Sequence, residues 1–355
     1  MIPLNSRQAR LREDPVPLAT SWLMSICMES KGKQDLWTRR KPEVLEALRE
    51  RAIVQSVESS NRIEGVTVEA LRLRPVVLGR AKPKDRSEEE LAGYRRALDW
   101  VFERKRPVPV TPAVIQKLHA MAQRGSTSDA GQWKARNNEI IEILPTGEPR
   151  LRFVAATAAQ TPGLIARLCE SYQDLCRREL LPPLLAVATF IFDFLCIHPF
   201  RDGNGRVSRL LTTLLLQSHD FQVARYISLE RLVEEAKADY YRVLGECSRG
   251  WHEGKNEILP WWNYFLGIVR DGYREFEKQV NEISARPAKT DMVRRAVLDQ
   301  PADFTLAELC AELPGLSPQL IKKVLADLKG EGEVSLAGRG RGAVWRLQRQ
   351  TKMVR

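Results

Sequence analysis

The stretch His198-Pro199-Phe200-Arg201-Asp202-Gly203-Asn204-Gly205-Arg206 interrupts two strongly apolar segments. LPPLLAVATFIFDFLCI precedes it and VSRLLTTLLLQS follows it. Both flanks are long enough for helices and too apolar for a solvated face, so they predict two buried helices joined by a short polar loop. The first flank holds Pro182, Pro183 and Asp193, which fits a core helix better than a membrane span.

The rest of the chain supports a mainly helical fold. Apolar residues recur at helical spacing over Lys41 to Ser60, Glu88 to Arg104, Pro112 to Gln123, Pro162 to Arg178 and Pro260 to Ser284. Asn138 to Val154 differs: NEIIEIL and RLRFV flank PTGEP, which predicts a β-hairpin. SARPAKT reads as a linker. After it come three short helices, with Thr305 and Ser317 as N-caps, and two strands around a Gly/Arg turn. Three helices followed by a two-stranded wing is a winged helix-turn-helix pattern. With 355 residues, the chain has room for several cores, here placed at 1–110, 111–285 and 286–355. Six scattered cysteines without a C-x-x-C pair, and a start without a secretory pattern, lead us to expect a cytoplasmic protein without disulfides.

The nine-residue loop carries chemistry. Gly203 and Gly205 open the backbone at a helix N-terminus, where outward amides favour a phosphate. Arg206 and Arg209 are spaced to share one helix face and suit a di- or triphosphate. Asp202 is a hard oxygen ligand for Mg²⁺. His198 can take a proton from a hydroxyl near neutral pH. Together these residues point to phosphoryl or nucleotidyl transfer. No G-x-x-x-x-G-K-[ST] occurs, which excludes a Walker-type loop. Read alone, the loop could also be a capped helix-helix turn with solvated charges.

His198 to Arg209 resembles the Fic family of adenylyltransferases, fitting H-x-F-x-[D/E]-G-N-[G/K]-R-x-x-R at every fixed position. Weaker similarity extends over residues 35–285. The resemblance implies a Fic-type helical core with a hairpin flap, and transfer of AMP from ATP to a Ser, Thr or Tyr hydroxyl of a target protein. In that reading His198 is the base and Asp202 holds Mg²⁺. The amides of Gly203 to Gly205, with Asn204, hold the α-phosphate, and Arg206 and Arg209 hold the β- and γ-phosphates. Gly205, where Doc-type kinases have lysine, argues for AMP transfer over phosphorylation. A dead nucleotide-sensing core in a DNA-binding regulator, removal of AMP, or another donor are the competing readings.

SNRIEG, Ser60 to Gly65, reads by itself as a helix end with Gly65 as its left-handed cap. Beside the Fic signature it resembles the inhibitory motif [S/T]-x-x-x-E-[G/N]. That implies a Glu64 carboxylate on Arg209 in the place of the γ-phosphate. The hairpin resembles the family's flap, which implies docking of an extended target segment. Trp251, Trp261 and Trp262 read as core, and His119, His219 and His252 as structural. The tail, residues 287–355, carries 12 Lys/Arg against 8 Asp/Glu, a net of +4. Lys322, Lys323, Arg339, Arg341 and Arg346 could meet DNA phosphates there. Winged helices also serve as dimer or docking modules, so a homodimer stays open. No membrane partner is expected.

Overall fold

The computed structural model describes residues 15–38, 42–104, 106–125, 127–143, 148–285, 289–300, 303–338 and 343–348. It divides into two compact units, Met1–Gln279 and Val280–Arg355. The division falls inside one long helix, Leu259–Ala285.

The first unit is helical apart from one hairpin. Its helices are α1 (Leu18–Thr38), α2 (Pro42–Ile63), α3 (Ala70–Val77), α4 (Arg86–Phe102), α5 (Pro112–Ala122), α6 (Thr161–Arg177), α7 (Pro183–Ile197), α8 (Asn204–Ser218), α9 (Leu229–Glu235), α10 (Lys237–Ser248) and α11 (Leu259–Ala285). The hairpin pairs β1 (Glu139–Ile143) with β2 (Pro149–Val154) antiparallel, with a register irregularity between Ile140 and Ile141. Leu144 to Gly147 of the expected turn lie outside the described residues.

The two apolar flanks form the centre. Every residue of α7 from Leu184 to Ile197 is buried. A helix apolar on all sides is stable only when surrounded. Here α6 and α8 pack directly on α7, and α8 in turn meets α2, α4 and α5. Truncating a fully buried Phe192 or Phe194 to Ala would cost about 3–5 kcal/mol. Trp251, Trp261 and Trp262 are core, as expected, and their indole N–H groups donate to Asp193 Oδ1, Ala188 O and Thr189 Oγ1.

Helix α1 has no expected counterpart. Tertiary contacts fix it: Thr20 donates to Asn263, Gln34 Nε2 to the Asp220 carbonyl, and Trp37 meets Phe276 edge-on at 5.5 Å. All six cysteines are free. Among the described residues, no helix is long and apolar enough to cross a membrane.

The second unit holds α12 (Lys289–Leu298), α13 (Leu306–Glu312) and α14 (Pro318–Gly330), with strands β3 (Phe304–Thr305), β4 (Val334–Ala337) and β5 (Val344–Leu347). The sheet order is β3-β5-β4, antiparallel throughout. Val293, Val297, Phe304, Leu309, Ile321 and Leu325 lie at its core. Thr305 and Ser317 cap their helices as expected, Thr305 in a reciprocal capping box with Glu308. Strand β3 is the element not expected here. Arg339 and Arg341 lie outside the described residues. Arg346 is held by Asp303 at 2.8 Å, while Lys322 and Lys323 are exposed.

Candidate active site

Helix α7 stops at His198, whose backbone is left-handed (φ 52, ψ 62) and whose N–H still bonds Phe194 O at 2.9 Å. A non-glycine residue in this region is strained by about 1–2 kcal/mol, so the surroundings must hold it. Three groups do so. Lys134 Nζ donates to Ile197 O at 3.0 Å and to Asn138 Oδ1 at 2.8 Å, and the Lys134 N–H bonds Pro199 O. Asn138 Nδ2 donates to Phe200 O at 3.0 Å. Phe200, fully buried, stacks on His119 at 3.7 Å.

The imidazole of His198 has a defined role for each nitrogen. Nδ1 lies 3.2 Å from Leu195 O, which can only accept, so Nδ1 carries the proton. Nε2 is then left with a lone pair. Burial pushes the His198 pKa down to about 4, well below the ordinary histidine value, and the neighbouring Lys134 charge lowers it further. The ring is therefore neutral at physiological pH and suited to accept a proton.

His119 anchors the other side of the loop. The Gly131 N–H donates to its Nδ1 at 2.8 Å, so its proton sits on Nε2, 3.1 Å from Asp202 O. Asp202 itself is half exposed, with Oδ1 accepting from the Gly203 N–H at 2.6 Å. Gly203 is left-handed (φ 77), and a Cβ there would fall 2.2 Å from Gln123 Nε2, so this position requires glycine.

Two expected phosphate-facing side chains are turned elsewhere. Asn204 is buried, and its amide makes a pair of hydrogen bonds with Phe200: Oδ1 accepts from the Phe200 N–H at 2.9 Å and Nδ2 donates to Phe200 O at 2.8 Å. Arg206 is 2% exposed and pairs with Glu90 of α4 at 2.5 Å and with Asp202 at 3.6 Å. Arg209 has different partners, Ser60 and Glu64. The i, i+3 spacing therefore does not bring the two guanidiniums to one anion: the α4 carboxylate takes the first and the end of α2 takes the second.

The SNRIEG segment grips Arg209 at three points. Its Nε donates to Ser60 Oγ at 2.8 Å, and Nη2 donates to Ser60 O at 2.8 Å and to Glu64 Oε1 at 2.7 Å. The remaining Nη1 is buried without a hydrogen-bond partner. Gly65 is left-handed (φ 81), which ends α2 and turns Glu64 toward Arg209. Lys237 Nζ caps Ile63 O at 3.0 Å. Deeper in, Glu230 accepts from Ser56 of α2 at 2.7 Å and from Tyr94 of α4 at 2.9 Å, pinning α2 to α9. Gly205 leaves the room that Glu64 uses: a Cβ would lie 2.0 Å from Glu64 Oε1 and 3.2 Å from Arg209 Nη1.

These groups surround one pocket of about 520 Å³, lined by Glu64, Gly205 and His198, by Ile140 and Phe153 of the hairpin, and by Tyr241 of α10. The hairpin is tied to the pocket's far wall. Arg152 lies over the Tyr241 ring at 4.6 Å, and His252 Nε2 reaches Val154 O at 2.8 Å. Sequence reasoning missed Lys134, Glu90, Glu230 and the anchoring task of His119.

The mainly helical fold of the first unit is shared with solved Fic proteins. A Fic family protein from Desulfovibrio desulfuricans aligns with a TM-score of 0.64 at 21% identity, covering 95% of this chain and 98% of that one. Residues 109–216 match the Fic/DOC family, so the chain carries a Fic domain. Among curated proteins it is similar to the protein adenylyltransferase Fic of Drosophila willistoni, 24% identical over 221 residues, 58% of this chain and 42% of that protein. The protein of that name from Nematostella vectensis is 25% identical over 209 residues, 56% of this chain and 44% of that protein. The chain thus spans less than half the length of these relatives.

Proposed function

We propose that this chain is a self-restrained protein adenylyltransferase. The observation that carries the reading is the His198 imidazole: its Nδ1 is committed to Leu195 O, leaving a neutral Nε2 in the pocket that also holds Gly205 and Glu64. His198 takes the proton of a target hydroxyl, and that oxygen forms a bond to the α-phosphorus of ATP. The bond to the β-phosphate breaks, pyrophosphate leaves and AMP stays on the hydroxyl. General-base help of this kind is worth about 10²–10⁴ in rate. The names of the Drosophila and Nematostella relatives support the donor.

The amides of Asn204 and Gly205 in the first turn of α8 receive the α-phosphate, since the first N–H groups of a helix have no partner within it. The Gly203 N–H is held by Asp202 and joins them only if that bond opens. Arg209, with its unpartnered Nη1, is the group for the distal phosphates. Asn204 and Arg206 act indirectly, one closing the loop and the other fixing Asp202. Among the described residues no cluster of three or more metal-ligating side chains occurs. Asp202, a single half-exposed carboxylate, suits Mg²⁺, which takes its other oxygens from phosphates and water. When bound, that ion neutralises charge on the phosphates.

Glu64 restrains transfer by occupying Arg209 and by repelling a triphosphate. At ~4 Å and an effective dielectric of 20 such a pair is worth at most about 4 kcal/mol, so ATP or a partner can displace it. The hairpin receives a target segment by strand addition. The second unit, read as a winged helix, binds DNA through exposed Lys322 and Lys323 or docks a second protein. One observation favours a second activity: Glu64 lines the same pocket as His198, where it could hold a water for removal of AMP. The restraint is tested by Glu64→Gly, expected to raise AMP transfer at least tenfold. An unchanged rate would remove Glu64 from the mechanism.

A further inference from the structure

A second basic site lies away from the pocket, in a groove of about 720 Å³. Four arginines line it: Arg49 of α2, Arg104 and Arg106 just after α4, and Arg225 of the short 3-10 helix Val223–Arg225 that follows α8. Arg49 and Arg225 both lie 5.7 Å from the centroid of the buried Phe102 ring. Each has a buried Nε–H without a hydrogen-bond partner. No carboxylate of the described residues forms an ion pair with either.

This arrangement is unfavourable without an anion. Two like charges sit over one ring, and buried donors are left without acceptors, which costs free energy until an acceptor arrives. Burial first, and then the Arg49 charge, hold the Arg225 pKa below its usual value. Part of Arg225 has a structural task, because Nη2 caps the Phe102 carbonyl at 3.1 Å. Capping uses one donor and accounts neither for its Nε–H nor for Arg49. The two acids of the lining, Glu103 and Asp220, are exposed, and each has a local partner: Arg104 at 3.7 Å and Gln222 at 2.9 Å.

We propose that this groove is an anion site for two linked phosphates, held by Arg49 and Arg225 and steered by Arg104 and Arg106. The forked guanidinium matches phosphate oxygens, and several guanidiniums suit a multiply charged group better than a carboxylate. The groove is of the size that takes small ligands. Arg49 sits on α2 about four helical turns before Glu64. An anion between Arg49 and Arg225 therefore bridges α2 to the segment that leaves α8. The inference is independent of the AMP-transfer reading.

The test is hydrogen exchange on the full-length protein with inorganic pyrophosphate, read separately over residues 45–55 and 219–226 and over residues 198–209. Protection of the first two segments by at least threefold is expected in the wild type and should be lost in Arg49→Gln/Arg225→Gln. Protection confined to 198–209, or unchanged in the double variant, overturns the proposal. If the double variant does not fold, exposed Arg106→Gln must weaken pyrophosphate binding by calorimetry several-fold, and unaltered binding is equally contrary. ADP protecting these segments at least as well as pyrophosphate marks a nucleotide as the source. Pyrophosphate acting alone marks a free diphosphate.

Discussion

Acidification should destabilise this protein in part through His119, and the size of that part follows from its contacts. Neutral His119 is fully engaged, with Nδ1 accepting from Gly131, Nε2 donating toward Asp202 O, and the ring stacked on Phe200. Protonation must break the Gly131 bond and charge a ring that is 2% exposed. Burial accordingly lowers its pKa from the ordinary 6.5 to about 4. In the unfolded chain the imidazole takes up its proton near 6.5 and in the folded chain only near 4, so between those values the unfolded state binds more protons. The stabilisation is fully present above 6.5, falls as pH drops through that window and is gone below 4. A shift of this size corresponds to about 3 kcal/mol. Urea unfolding of wild type and His119→Gln should show a total loss of stability across that window that is smaller in the variant by about 3 kcal/mol. His198 titrates in the same range and remains in both proteins, so only the difference matters. Equal losses in the two proteins would refute the account of how the loop is anchored.

Gly205→Ala should raise AMP transfer severalfold although Glu64 is intact, because the new methyl displaces Glu64 Oε1 from Arg209. In a Glu64→Gly background the same change should give no further rise, and a label-transfer assay on the single and double variants decides this. With the His198 pKa at about 4, kcat/KM of a Glu64→Gly enzyme should stay flat as pH falls through 6.5 and decline only near 4. An acid limb at 6.5 would place the base elsewhere.

The site was legible where spacing alone dictates geometry. The two apolar flanks could only be buried helices, and the glycines between them could only be a turn. Gly65 was recognisable as a left-handed cap, and that cap is what aims Glu64. Fold elements lacking a periodic signal were harder. Helix α3 contains Pro75 and has no side-chain cap, and α1 is held by single long-range bonds such as Gln34 to Asp220. Side-chain direction inside the signature was not legible either. Arg206 and Arg209 share a spacing, but Glu90, 116 residues before Arg206, decides where the first points. Asn204 looked like a ligand group because nothing local reveals that Phe200 consumes its amide. His119, Lys134 and Glu230 carry no motif, since their partners lie 83, 63 and 174 or 136 residues away.

The central claim is that His198 drives AMP transfer and Glu64 restrains it. The most direct measurement compares α- and γ-labelled ATP with Mg²⁺ on wild type, Glu64→Gly and Glu64→Gly/His198→Ala, reading label on the protein and on lysate proteins. The account predicts label from α-ATP alone, raised at least tenfold by Glu64→Gly and lost without His198. Label from γ-ATP alone, or α-label that persists in the double variant, would contradict it.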